Sequence, residues 1–225
     1  ISFYGKKYNI KPVANEIGAI SNELSEIELS YTDIANAVGE CGCTFSPAVF
    51  SGKRNKDNFK EQQLIALDFD NGAKFSDIKA QADKYGLPIL FAYKTFSYTI
   101  EKEKFRIVFA LDKVMCDDFT ANTVIGIFMK IFSECDIACK DVSRMFFGGK
   151  GLLYLTEKEC KINPEMLFTS FNAFMADLYG ERHYKERVRD YCYKHSIQTD
   201  SGGISWETQE LEHGGKCTFT IIYNN

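Results

Sequence analysis

The stretch LIALDFDN, residues 64–71, decides the fold. An apolar run of this length, closed by the turn signal Asn71-Gly72, reads as a buried strand. Side chains two apart on a strand share a face, so Asp68 and Asp70 project together at its C-terminal end. Two carboxylates that close raise each other's pKa unless a cation lies between them. Two readings follow. Either the strand runs out into a polar turn, or the pair supplies hard oxygen ligands of the kind that Mg²⁺ or Mn²⁺ takes.

Working outward, Ser76 to Tyr85 has helical periodicity and ends at Gly86-Leu87-Pro88. Pro88–Thr95 and Lys104–Leu111 are apolar, aromatic strand candidates joined by the polar loop Ser97–Glu103. Asp117 or Asp118 caps a helix running to about Ser133, and Arg144–Phe147 reads as a short strand closed by Gly148-Gly149. The order is β-α-β-β-α-β, the split βαβ of ferredoxin-like and RNA-recognition-type (RRM) α+β sheets. The expected first strand is central, its C-terminal end facing the starts of the third and fourth. Arg106 opens the third, and Asp136, Asp141 and Arg144 lie at or just before the fourth. A carboxylate pair, a third carboxylate and two arginines then meet at one edge of the sheet. In-line nucleotidyl transfer requires such a group: aspartates for two metal ions and guanidiniums for phosphate oxygens.

The flanks are less decisive. Residues 16–33 carry Glu16, Glu23, Glu26, Glu28 and Asp33 without a Lys or Arg, and Ser30-x-x-Asp33 has the capping-box form, with Gly39 as the expected stop. Residues 53–60 reverse the sign with Lys53, Arg54, Lys56 and Lys60, either as a solvated face or as phosphate contacts. Residues 164–195 read as helices, the later part mixing Arg182, Lys185, Arg187, Arg189 and Lys194 with Tyr184, Tyr191 and Tyr193. Those tyrosines either stack on bases or pack an amphipathic helix on the core. Residues 198–225 turn strand-like at Cys217–Tyr223. The expected division is a unit of residues 1–160, with an N-terminal helical and strand module to about 60 and the sheet over about 61–155. Residues 161–225 form a helical extension and tail packed on it.

A 45% hydrophobic content excludes intrinsic disorder. The best apolar run, Thr123–Phe132, is too short to span a bilayer and is broken by Lys130. No charged-then-apolar leader follows Ile1, so a cytoplasmic location is expected. Eight cysteines lack paired CxxC spacing, and reduced thiols are expected rather than a zinc site. All three histidines follow residue 180, which argues against a histidine-based centre in the body of the chain. A net charge of −4 weighs against a uniformly phosphate-binding surface, but 53–60, 140–150 and 182–194 are locally positive.

LIALDFDN (64–71), TFSYTIEKEKFRIVF (95–109) and CDIACKDVSRMFFGGKG (135–151) resemble the three motifs of archaeo-eukaryotic-type primases, and more narrowly the primase and primase-polymerase domains of plasmids, phages and integrative elements. The likeness covers about residues 45–155. It implies template-directed phosphodiester formation with Asp68, Asp70 and Asp136 holding two Mg²⁺ or Mn²⁺ ions, Asp141 being the second choice for the third carboxylate. It implies that Ser97, Arg106, Arg144 and Lys150 bind the nucleotide. The partners implied are single-stranded DNA template, nucleoside triphosphates, and a replicative helicase or DNA-binding domain on the same or another chain. The second motif departs from the family, which has a histidine where Arg106 stands. Arginine keeps its charge at any working pH and binds phosphate bidentately. Two other classes remain open: a non-catalytic replication-initiation module on a degenerate primase fold, and a haloacid dehalogenase-type phosphatase, which requires a parallel sheet.

Overall fold

The computed structural model describes residues 1–195 and, beyond them, the backbone of three short strands. In chain order the elements are β1 (Ser2–Tyr4), α1 (Ala14–Glu23), β2 (Ser25–Glu26), α2 (Tyr31–Ala35), a π-helical turn (Asn36–Glu40), β3 (Thr44–Ser46) and β4 (Ala48–Phe50). There follow β5 (Phe59–Phe69), α3 (Phe75–Lys84), β6 (Phe91–Thr95), β7 (Phe105–Met115), α4 (Asp118–Ile131), a 3₁₀ turn (Ile137–Lys140) and β8 (Gly149–Leu155). The chain continues through α5 (Pro164–Tyr179) and α6 (Tyr184–Lys194), then β9 (Gln198–Asp200), β10 (Ile204–Ser205) and β11 (Thr220–Ile222). Most of the expected strand Cys217–Tyr223 lies outside the described residues.

β5 is the organising strand because its two faces carry different chemistry. Ile65, Leu67 and Phe69 lie opposite Phe109, Ile107 and Phe105 of β7, so all six share one face. All six are fully buried. α3 and α4 cover that face: Phe109 packs on Phe128 and Phe132 with ring centroids 4.9 and 5.5 Å away, and Phe75 meets Phe105 edge-on. Burying each such side chain contributes about 1.5–3 kcal/mol. The opposite face runs Leu64, Ala66, Asp68 on β5, then Ala110, Val108, Arg106 on β7 and Phe91, Tyr93 on β6. The N-terminal module covers part of it, with Gly39 against Leu152 and Tyr93.

Along the chain β5-α3-β6-β7-α4-β8 gives the expected β-α-β-β-α-β alternation, in a mixed α+β fold. In space the five-stranded sheet runs β4-β5-β7-β6-β8, with every pairing antiparallel. The last strand therefore lies beside β6 rather than beside β5, whose free edge is taken by β4. This departs from the RRM order, and the absence of a parallel pair in this sheet removes the dehalogenase-type phosphatase. The expected strand Arg144–Phe147 is instead a crossing segment that exchanges two backbone hydrogen bonds with Phe45 through Phe146. Gly148-Gly149 does not close a strand; Gly149 opens β8.

One further expectation is corrected, and one pair of alternatives is narrowed. Ser30 does cap α2, accepting from Asp33 N at 3.1 Å, but Gly39 does not stop it. The helix continues into the π turn, and Gly39 is the point at which that turn presses on Leu152 and Tyr93. The tyrosine-rich helix α6 is the packing helix of the two readings. Val188 and Cys192 are buried, and the Tyr191 ring packs at a tilt against Phe171 of α5 with centroids 5.0 Å apart, while Tyr193 is 88% exposed.

Gly148 is a close-approach glycine. A Cβ there would overlap the backbone of Gly42 and Cys43, which cannot move aside as a side-chain tip can. Gly148→Ala should lower stability by about 1–3 kcal/mol. Gly18→Ala, within α1 where a Cβ meets nothing, should raise it by up to about 1 kcal/mol. Urea midpoints of the two variants check both signs.

Candidate functional site

The site grows from the register. Asp68 of β5 faces Arg106 of β7, and Arg106 faces Tyr93 of β6, so three adjacent strands place them in one row. Asp68 is only 5% exposed. A carboxylate removed from water to that extent requires charged partners. Arg106 supplies one: its Nε lies 3.1 Å from Asp68 Oδ1, and its Nη2 donates to Oδ2 at 3.2 Å. Arg144 supplies the other, with Nη2 donating to Asp68 Oδ2 at 2.8 Å and to Asp136 Oδ2 at 2.9 Å. One guanidinium nitrogen thus bridges two carboxylates from segments 68 residues apart in sequence.

The backbone fixes the same arrangement. Asp136 N donates to Asp68 O at 2.8 Å, and Asp68 N donates to the Cys139 sulfur at 3.2 Å. The 3₁₀ turn after Asp136 is thereby docked alongside the end of β5. Asp136 caps that turn by accepting from Ala138 N at 3.0 Å. That backbone N–H, and after it Arg144, hold the Asp136 carboxyl below the usual carboxylate range. Behind Arg106, the Tyr93 hydroxyl donates to Phe147 O at 3.1 Å, and Arg106 Nη1 donates to the same carbonyl. Burial raises the Tyr93 pKa to about 12, so it remains a neutral donor. Burial alone would disfavour the Arg106 charge, yet Tyr93 and Asp68 hold its pKa above the ordinary value. The Phe146 ring lies under both guanidiniums, 5.6 Å from Arg106 and 5.2 Å from Arg144.

The remaining candidates lie farther out. Asp70 follows the end of β5, has a 43% exposed side chain, and stands 3.9 Å from Lys104. Asp141 accepts from Ser143 N and Oγ, both at 2.8 Å, and so shapes the turn that delivers Arg144. Ser97 is exposed in the β6–β7 turn, and Lys150 is exposed on β8. Of the basic run, Arg54 reaches inward, donating to Ser143 O and, at 3.0 Å, to Ser21 Oγ, while Lys56 and Lys60 pair with Asp118 and Glu26. That run braces the fold beside the site. Sequence reasoning missed Tyr93 and Phe146. The alternation of Phe91 and Tyr93 on the Arg106 face was the available signal for the first; nothing local signalled the second.

The carboxylates do not fit a two-metal centre as they stand. Among the described residues no three His, Cys, Asp or Glu side chains cluster as metal ligands. The point shared by Asp68 and Asp136 is taken by Arg144 Nη2, and Asp70 faces Lys104. A cavity of about 300 Å³, lined in part by Glu26, Glu28, Glu61 and Glu159, includes none of Asp68, Arg106, Asp136 and Arg144.

No known protein family matches the chain, and no curated protein does. Among solved structures, the chain is similar to the archaeo-eukaryotic primase (AEP) domain PP-N190 of the cyanophage S-2L primase-polymerase. The identity is 15% over 64% of this chain and 77% of that one, with a TM-score of 0.44. At that distance the likeness carries no information about activity.

Removing Arg106 leaves Asp68 with half its compensation. Arg106→Leu should cost about 3–5 kcal/mol in chemical denaturation, and Arg106→Lys should not restore the loss, because one ammonium cannot supply the fork. The lowered Asp136 pKa adds stability above its unfolded value, about 3.9, and that stability is lost as pH falls through the lower folded value. Asp136→Asn should flatten the decline in urea midpoint on acidifying below about pH 4.

Proposed function

We propose that this chain is a primase- or primase-polymerase-type domain of a mobile genetic element, acting in template-directed nucleotidyl transfer. One observation carries the reading: Asp68, Arg106, Asp136 and Arg144, one or two from each of the three motif-like segments, meet in a single hydrogen-bonded cluster at the end of β5. Coincidence of three sequence motifs with one side-chain cluster is unexpected of surface decoration.

In this reading Arg106 and Arg144 receive the triphosphate of a nucleoside triphosphate, since guanidinium forks match phosphate oxygens. Tyr93 and the Phe147 carbonyl hold Arg106 from behind, so its head is already oriented when substrate arrives. Ser97 and Lys150, on exposed positions, are proposed as outer nucleotide contacts. Single-stranded DNA is the proposed template, with a helicase or DNA-binding domain as a proposed partner. Mg²⁺ or Mn²⁺ is kept as the proposed cofactor of the transfer, although Asp68, Asp70 and Asp136 as arranged do not form its site. No step is routed through it, because Arg144 occupies the point between Asp68 and Asp136.

That occupancy favours a second reading, a non-catalytic module that binds nucleic acid on a degenerate primase fold. Incorporation of labelled nucleotides on a single-stranded template, with and without primer and with Mn²⁺ or Mg²⁺, separates the two. The leading reading expects product from the native chain and at least about a hundredfold less from Asp68→Ala/Asp70→Ala. No product, with DNA still bound, selects the second. Binding of neither nucleotide nor DNA rejects both.

A further inference from the structure

Gln62 is 3% exposed. It lies where the β5–β7 register shifts between Gln62 and Leu64, so its side chain is turned by an irregularity rather than by regular alternation. Its amide Nε2 donates to Leu64 O at 2.8 Å, which fixes the orientation of the amide, yet Oε1 is buried with no partner. Arg144 presents the complement. Its Nη2 is engaged by Asp68 and Asp136, while its Nη1 is buried and unpartnered. Each orphan alone carries the penalty of a hydrogen bond given up to water and not remade.

The two side chains line one small, partly open space of about 10 Å³, together with Pro47, Ala66, Ile125, Val142 and Phe146, with Cys139 and Asp141 also on its wall. That is the volume that holds a single water centre. The chemistry of the two ends selects the occupant. It must accept from a guanidinium N–H and donate to an amide oxygen. A chloride or carboxylate cannot donate to Oε1, and a protonated oxyanion such as hydrogen phosphate is too large for a space of about 10 Å³. A metal or ammonium ion cannot accept from Nη1 and is repelled by the guanidinium charge. Water does both.

We propose that one structural water bridges Gln62 Oε1 and Arg144 Nη1, making Gln62 a positioning residue for the carboxylate–guanidinium cluster. Gln62 touches neither Asp68 nor Asp136 in this account; it sets the plane in which Arg144 presents Nη2 to them. Only the affinity measurement below rests on the nucleotide reading of the site.

A crystal structure of the native chain at about 2 Å should show one water within hydrogen-bond reach, about 2.7–3.2 Å, of both atoms. A dry cavity, or Gln62 bonded directly to Arg144, overturns the bridge. In the Gln62→Leu structure the Arg144 guanidinium should leave Asp136 or become disordered; an unmoved guanidinium overturns the positioning role. If Gln62→Leu does not fold, Gln62→Glu, which keeps an acceptor, should retain the water or close directly on Arg144. An Arg144 that is displaced in this variant contradicts the proposal. Affinity for a fluorescent nucleoside triphosphate should fall about tenfold in Gln62→Leu and stay within about threefold of native in Gln62→Glu. Equal affinity of Gln62→Leu and the native chain also overturns the positioning role. If the native chain binds no triphosphate, the nucleotide reading fails, while the water and the guanidinium position still decide this proposal.

Discussion

Asp68 is a buried carboxylate, and much of the architecture follows from compensating it. A charge in that position is tolerated only when donors approach from several directions. One comes from the neighbouring strand, where Arg106 is fixed by register. The other comes from the turn after α4, where Arg144 is fixed by nothing in the sheet. The turn must therefore be carried to Asp68 by its own bonds: Asp136 N to Asp68 O, the Asp141–Ser143 contacts, and Arg54 on the Ser143 carbonyl. Arg144 is also held by Ser46 Oγ, which donates to its carbonyl at 3.0 Å.

The path of the chain beyond Arg144 is a consequence. With the Arg144 head on Asp68 and the Phe146 ring beneath both guanidiniums, residues 144–147 cannot also pair as a strand beside β5. They cross to the N-terminal module through Phe45, squeeze past Gly42 at Gly148, and begin β8 only at Gly149, beside Thr95 of β6. The glycines at 148 and 149 are required by backbone approaching backbone. The same crossing brings the Phe147 carbonyl to Tyr93 and Arg106, so the segment that displaces the strand also completes the site.

This explains what was legible in the sequence. α3, β6 and α4 lie close to where periodicity and caps put them. β5 and β7 cover the expected cores but are longer, β5 starting at Phe59 instead of Leu64 and β7 running to Met115 instead of Leu111. Asp117 caps α4 by accepting from Thr120 N at 2.7 Å. The meeting of Asp68 and Arg106 was legible from strand register. Asp70, however, stays outside the cluster, and Arg144 reaches it from a crossing segment rather than from the start of a fourth strand. The spatial order was not legible. RMFF, residues 144–147, has strand composition, and only a long-range ion pair tells it to cross instead. Gly39 misled for a related reason: a glycine near a helix end reads as a stop, whereas here it is required by Leu152 and Tyr93, 113 and 54 residues away in sequence. The basic run 53–60 stayed open between a solvated face and phosphate contacts because a sequence does not show that Arg54 has Ser21 and Ser143 as partners.

The cluster is balanced, two carboxylates against two guanidiniums, and its cationic heads are oriented but engaged. Anything anionic that binds there competes with Asp68 and Asp136 for the same donors, and must bring enough charge to win. The proposed ligand, a nucleoside triphosphate, carries that much charge. A crystal structure with a non-hydrolysable nucleoside triphosphate tests this most directly. The account expects phosphate oxygens within hydrogen-bond distance of both Arg106 and Arg144, with Tyr93 still on the Phe147 carbonyl. A nucleotide bound elsewhere on the chain, with both arginines left on Asp68, would contradict it.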